Sequence, residues 1–162
     1  MKTITITYVS SLKTARLVCD RLLEKNPDIE LVALTSDSDQ RSIWLALSRS
    51  DIAVIDEESM QYHNGGETLS VLLAGNPGVK FLVIMKNFNE DRMVWAITRG
   101  VRGVILRREL LQLLGKAIRR VHQGEIWMPR DLLASFRHAI NSENSLLAGR
   151  ESAAINPWLK LH

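Results

Sequence analysis

Asp51-Ile52-Ala53-Val54-Ile55-Asp56-Glu57-Glu58 is the stretch whose reading decides the fold. Four consecutive apolar residues lie between acids, in a window the length of one strand. A strand apolar on both faces belongs inside a parallel sheet with helices on each side. In such sheets chemistry gathers just beyond the carboxyl ends of the strands. Asp56 stands at that end. It is either a reactive carboxylate or an ordinary strand-end charge that caps the next turn.

Composition narrows the class. A chain of 162 residues suits one domain plus an appendage. With 46% apolar residues it can fill a core, and with 24% charged residues it can cover a surface. No apolar run approaches the roughly 18 to 20 residues of a membrane span. Met1 to Val9 alternates Thr with Ile and lacks the unbroken apolar stretch of a signal peptide. Cys19 is the single cysteine, which excludes a disulfide framework and a cysteine metal cluster. The expected location is the cytoplasm, with no membrane partner. The net charge of +3 identifies no ligand, although Arg99 to Arg130 holds eight Lys or Arg against two acids. That segment is a solvated helix face or a phosphate-facing surface.

Outward from the opening strand, elements alternate. Ile4 to Val9 reads as a strand with an unusual Thr face. Leu12 to Lys25 reads as a helix with Ala15, Val18, Cys19 and Leu22 on one stripe and Ser10 or Ser11 as its cap. Ile29 to Leu34 is a second strand and Ser38 to Ser48 a helix. After the opening strand, Glu57 and Glu58 are expected to be loop charges, with a metal-ligating carboxylate from either as the alternative. A polar segment, Gln61 to Thr68, then precedes a helix from Thr68 to Ala74. Val79 to Met85 is the fourth strand and Asn89 to Arg99 a helix, capped by Asn87 or Asn89 and ended by Gly100. Gly103 to Leu106 is a short fifth strand. Arg108 to Gln123 is the best-defined helix, closed by Gly124, with Leu110, Leu114, Ala117, Ile118 and Val121 on one face. Pro129 to Ile140 reads as an extra C-terminal helix. Five βα units predict a doubly wound α/β sheet.

Three segments carry a family resemblance: Arg99-Gly100-Val101-Arg102-Gly103-Val104-Ile105-Leu106, Ala117-Ile118-Arg119-Arg120-Val121-His122-Gln123-Gly124-Glu125-Ile126-Trp127-Met128-Pro129, and the Asp51 to Asp56 spacing. Over about residues 3 to 140 the chain resembles the receiver domain of NarL/LuxR-type response regulators. The resemblance implies a five-stranded parallel sheet in the flavodoxin-like order 2-1-3-4-5. It also implies a receiver-like domain over residues 1–125, with the extra helix and a linker or tail over 126–162. Asp56 becomes the counterpart of the phosphoacceptor.

Receiver chemistry needs more than one aspartate. In the family an acidic pair after the first strand holds magnesium, a Thr or Ser after the fourth strand and a Lys after the fifth hold the transferred group, and an aromatic residue on the fifth strand switches. The corresponding positions here are Ser10 and Ser11, Met85, Arg107 and Val104. Two hydroxyls bring no charge to a hard cation. Met85 is a weak acceptor, and Arg107 is a planar fork where a compact ammonium is usual. The resemblance therefore implies a degenerate receiver with poor magnesium binding, no catalytic residue, and a poor phosphoacceptor at Asp56.

Other motifs are weaker. His63, His122, His138 and His162 show no spacing that gathers them with acids, so no metal site is expected. Gly65-Gly66 lacks the Lys of a phosphate loop, and Cys19 reads as core. Trp127-Met128-Pro129-Arg130 resembles a cyclic di-GMP-binding motif of biofilm-type regulators, with Trp127 and Arg130 as the ligand residues. It departs from that motif at Pro129, and simple packing is the alternative. The partners implied are a second copy of the chain, a sensor kinase, a cyclic dinucleotide, and DNA through a helix-turn-helix domain outside these residues. Residues 141–162 resemble the linker towards such a domain, and a free-standing receiver is the other arrangement.

Overall fold

A computed structural model describes residues 2–36, 40–60, 65–135 and 137–138. Strands β1 (Ile4–Val9), β2 (Ile29–Thr35), β3 (Ile52–Asp56), β4 (Lys80–Met85) and β5 (Gly103–Leu106) form one parallel sheet in the order β2-β1-β3-β4-β5. The helices are α1 (Ala15–Lys25), α2 (Gln40–Leu47), α3 (Glu57–Met60), α4 (Gly65–Gly75), α5 (Glu90–Thr98) and α6 (Leu110–His122). A 3-10 turn over Arg107–Glu109 leads into α6, and residues 130–135 and 137–138 are helical, an extra helix called α7. This is the receiver-type fold expected from the sequence.

The β3 run is apolar on both faces because it feeds two cores. Ile52 and Val54 pack with Cys19, Leu22, Leu114 and Ile118 of α1 and α6. Ala53 and Ile55 pack with Leu47, Leu72 and Met93 of α2, α4 and α5. The same two-residue period assigns Leu82, Ile84 and Ile105 to the first face, and Val83, Met85 and Val104 to the second. Each buried side chain of this size contributes about 1.5–3 kcal/mol, so the strand is held from both sides.

The Thr face of β1 has a use. Thr7 is buried, and its hydroxyl shares a 2.7 Å hydrogen bond with Ser50, whose own hydroxyl donates to the Ala46 carbonyl at 2.8 Å. Gly100 and Gly124 have φ of 111° and 97°, the left-handed conformation that ends α5 and α6. Gly115 permits α1 and α6 to cross closely: a Cβ there would lie 2.5 Å from the Asn26 side chain.

Several boundaries differ from the sequence reading. Neither Ser10 nor Ser11 caps α1, which begins later, with Thr14 at the N-cap. Ser10 Oγ instead accepts from the Leu12 amide at 3.1 Å and closes the turn. Glu57 and Glu58 are not loop charges. They open α3, because Asp56 Oδ1 accepts from the Glu58 amide at 3.0 Å and acts as a cap. Helix α4 starts at Gly65, ahead of the expected Thr68, since paired glycines tolerate a helix N-terminus. Asn89 is the cap of α5, accepting from the Arg92 amide at 3.0 Å. Residues 37–39, 61–64 and 139–162 lie outside the described residues, and with them the expected start of α2 at Ser38, the end of the extra helix at Ile140, His63, His162 and the tail.

Candidate functional site

The period that builds the cores also decides which residues meet at the carboxyl edge of the sheet. Asp56 continues the parity of Ile52 and Val54, and Arg107 continues that of Ile105. Both therefore emerge on the α1/α6 side, from strands separated only by β4. Arg107 Nη2 donates to Asp56 Oδ1 at 3.0 Å and to Glu58 Oε2 at 3.2 Å. The Asp56 side chain is 1% exposed and that of Arg107 26%. Beside them Arg92 Nη1 donates to Glu57 Oε1 at 3.2 Å, and Glu57 is buried. Glu57 Oε2 and Arg107 Nε are buried without a hydrogen-bond partner.

Burial sets the proton affinities. Desolvation pushes the Asp56 carboxyl above the ordinary carboxylate range, against the pull of Arg107 and of the Glu58 amide. Desolvation likewise raises Glu57, opposed mainly by Arg92. Tyr8 is buried on the same face and is raised above the usual phenol range, first by burial and then by Cys19 and Asp56. The Cys19 thiol is pushed up to about 12, chiefly by burial, which keeps it protonated and inert.

The remaining positions separate. Ser10 is buried with its hydroxyl engaged by the Leu12 amide, and Ser11 is exposed. Met85 and Val104 are fully buried on the opposite face, in the α2/α4/α5 core. Magnesium, which this fold implies, does not fit the donor set. The first-strand hydroxyls are uncharged, Asp56 Oδ1 already accepts two donors, and a guanidinium adjoins the carboxylate. Among the described residues no group of three His, Cys, Asp or Glu is placed to hold a metal ion.

Trp127 joins the sheet rather than standing free. Its amide donates to the Arg102 carbonyl at 3.0 Å and its carbonyl accepts from the Val104 amide at 2.9 Å, which covers the outer edge of β5. Its half-buried side chain packs on the α1/α6 core, while Arg130 is exposed at the start of α7. The basic segment resolves into pairs more than into a patch. Arg107 is engaged as above, Arg119 pairs with Asp28 at 3.2 Å and Arg120 with Glu125 at 3.2 Å, and Arg99 stacks 5.3 Å from the Trp95 ring. Arg92 and the structural roles of Glu57 and Glu58 were not anticipated. An aspartate followed directly by two glutamates is a helix-start signal, and it was legible.

No family model matches the chain. It is 25% identical over 114 residues to the oxygen regulatory protein NreC of Staphylococcus epidermidis, a match covering 70% of this chain and 52% of that protein. The chain thus spans about half the length of the curated relatives it matches. Among solved structures it resembles a LuxR-family two-component response regulator from Aurantimonas sp. SI85-9A1, with a TM-score of 0.72 and 20% identity, covering 86% of this chain and 99% of that one. It also resembles the isolated receiver domain of RcsB from Salmonella enterica serovar Typhimurium in the apo form, with a TM-score of 0.72 and 13% identity, covering 83% and 99%. The structure of two RcsB dimers bound to two parallel DNAs matches with a TM-score of 0.72 and 14% identity, covering 84% and 68%. The chain has the fold of the receiver domains of LuxR-family response regulators. Among the described residues no helix is long and apolar enough to cross a membrane.

Proposed function

We propose that this chain is an atypical receiver, a signalling and dimerisation module of a LuxR-type transcription regulator that works without phosphorylation. The observation carrying this reading is the 3.0 Å ion pair from Arg107 to an Asp56 that is 1% exposed. Phosphoryl transfer to a carboxylate needs an oxygen open to the donor and a cation that neutralises developing charge. Arg107 sits on Oδ1 of this carboxylate and supplies its positive charge permanently. The guanidinium then stands in for the metal and the phosphoryl contact together, and the module rests in a single state. It has no catalytic role of its own.

Residues 1–125 form the receiver unit in this reading. Residues 126–162 form the extra helix and connector, and Trp127 stitches the two together. A second copy would meet the first and last main helices, α1 and α6, where Leu17 and Leu111 are exposed. DNA would be read by an effector domain outside these residues. A cyclic dinucleotide on Trp127 and Arg130 is less favoured, because the Trp127 ring already packs on the core.

Incubation with acetyl phosphate and magnesium, followed by intact mass measurement, tests the proposal. The expected mass is unchanged, and sedimentation gives the same dimer with and without the donor. A species heavier by one phosphoryl group, mapped to Asp56, overturns it.

A further inference from the structure

Helices α1 and α6 leave a cavity of about 140 Å³ between them, and cations line it. Arg21 and Lys25 come from α1, Lys116 and Arg119 from α6, and no Asp or Glu belongs to the wall. We propose that this cavity binds a phosphate group, either as the free ion or on a small phosphate monoester. Its wall includes none of the carboxylates at the carboxyl edge of the sheet, so the inference is independent of the reading of Asp56.

The charge pattern calls for an anion. Arg21 and Lys25 are one turn apart on α1, as are Lys116 and Arg119 on α6, so each pair shares one helix face. Like charges at that spacing repel, and here the two pairs line one space. Helix dipoles explain only half of them. Lys25 and Arg119 stand in last turns, where a cation meets the negative end, but Arg21 and Lys116 lie a turn earlier. Arg21, Lys25 and Lys116 are exposed and make no ion pair among the described residues. The acids of α1, Asp20 and Glu24, are not in the wall, and α6 contains none. A concave space lined by one sign of charge concentrates its field on a counter-ion.

A buried support fixes one side of the cavity. Asn26, 9% exposed, donates from Nδ2 to the Leu22 carbonyl at 2.7 Å and accepts from Arg119 Nη1 at 2.7 Å. Asp28 accepts from the same nitrogen at 3.2 Å. The guanidinium is thus held in place by Nη1, while its Nη2 and Nε make no hydrogen bond among the described residues. A positioned guanidinium fork suits phosphate oxygens. Gly115 keeps the space open, since a Cβ there would lie 2.5 Å from Asn26 Oδ1. The volume equals about four or five waters at roughly 30 Å³ each. That is room for one phosphate group and not for a run of them.

NMR titration of the whole chain at constant ionic strength tests this. Inorganic phosphate and glycerol 3-phosphate are the ligands, sodium chloride is the monovalent control, and a short duplex DNA is the polyanion. The amides of Lys25, Asn26, Gly115 and Lys116 should shift saturably with phosphate, and at least about tenfold more weakly with chloride. Whichever phosphate binds more tightly identifies the source, free ion or monoester. Lys25→Ala and Lys116→Ala, changes at exposed helix positions, should each weaken binding by about tenfold. Arg120→Ala removes the same charge outside the cavity, where Arg120 pairs with Glu125, and should leave the affinity unchanged. Absence of a saturable shift, an equal response to chloride, full binding by either lysine variant, or an equal loss in Arg120→Ala overturns the proposal. Tighter binding of the duplex at these amides overturns it too. Reaction or non-reaction of Asp56 with acetyl phosphate has no bearing on it, so the two readings fail separately.

Discussion

The two ends of β3 carry an aspartate each, and they handle it in opposite ways. At the amino end Asp51 is 40% exposed and is held by the neighbouring strand. Its Oδ2 accepts from the Thr5 amide at 3.0 Å and from the Thr5 hydroxyl at 3.1 Å, and its own amide donates to that hydroxyl at 3.0 Å. Close by, Lys80 Nζ donates to the His122 carbonyl at 3.0 Å, a cation on the negative end of α6. The Thr5 amide and hydroxyl meet Asp51 Oδ2, His122 Nε2 lies 4.0 Å from the same oxygen, and the rest of the carboxylate is open to solvent. At the carboxyl end Asp56 is 1% exposed and faces a guanidinium. The amino end is a solvent-exposed structural seam, whereas the carboxyl end is a buried charge network, the kind of arrangement that shifts proton affinities.

This contrast predicts a large difference in mutational cost. Removing one partner of a buried ion pair leaves the other charge desolvated and alone. Arg107→Ala should therefore destabilise the domain by about 3 kcal/mol, the low end of the buried-pair range because the guanidinium is partly exposed. Pairing it with Asp56→Asn should recover most of that loss, since the orphaned charge goes too. Urea denaturation of the two variants checks both statements. A cost below about 1 kcal/mol for Arg107→Ala would place the pair with ordinary surface ion pairs and dissolve the contrast.

The amino end should respond more mildly. Asp51→Ala deletes two accepted hydrogen bonds from Thr5, yet water can reach the site. A loss of about 1 kcal/mol is expected in the same denaturation assay. A loss as large as that of Arg107→Ala would show that the seam is as closed as the carboxyl end.

How far the sequence allowed this contrast to be foreseen depends on what each residue's position encodes. Strand parity is local, so the run from Ile52 to Asp56 puts Asp56 on one side with Ile52 and Val54, whereas the face taken by Met85 depends on the packing of β4. The βα alternation and the glycines at 100 and 124 made the doubly wound class and most boundaries legible, and the strand order came through the family resemblance. The partner of Asp56 was foreseeable only through the family position of Arg107, because 51 residues separate the two and no periodicity connects them. Glu57 and Arg92, 35 residues apart, had no such guide. Exposed charges and buried ones have the same letters. Only the packing of β3 against β4 and α5 decides that Glu57 is dry, and hence that its second oxygen is unmet.

The smallest expected effect is a pH dependence, and it isolates the carboxyl end. Asp56 and Glu57 both have carboxyls raised by desolvation in the folded chain. A folded pKa above the unfolded one means that the fold binds the proton more tightly. The resulting stability is fully present below the ordinary carboxylate range and is lost as pH rises through the folded value. Glu57→Gln removes one of these two groups while keeping a polar side chain that can still accept from Arg92. Relative to the wild type, the variant should gain stability as pH rises from below the carboxylate range towards neutrality, and the two should converge in acid apart from a constant offset. Urea midpoints measured across that interval give the difference directly. A constant gap would mean that Glu57 ionises alike in both states, as an exposed glutamate does. A gap moving against the variant would mean that Arg92 outweighs desolvation, and the carboxyl end would then be a stabilising ion-pair seam, closer in kind to the amino end than its burial suggests.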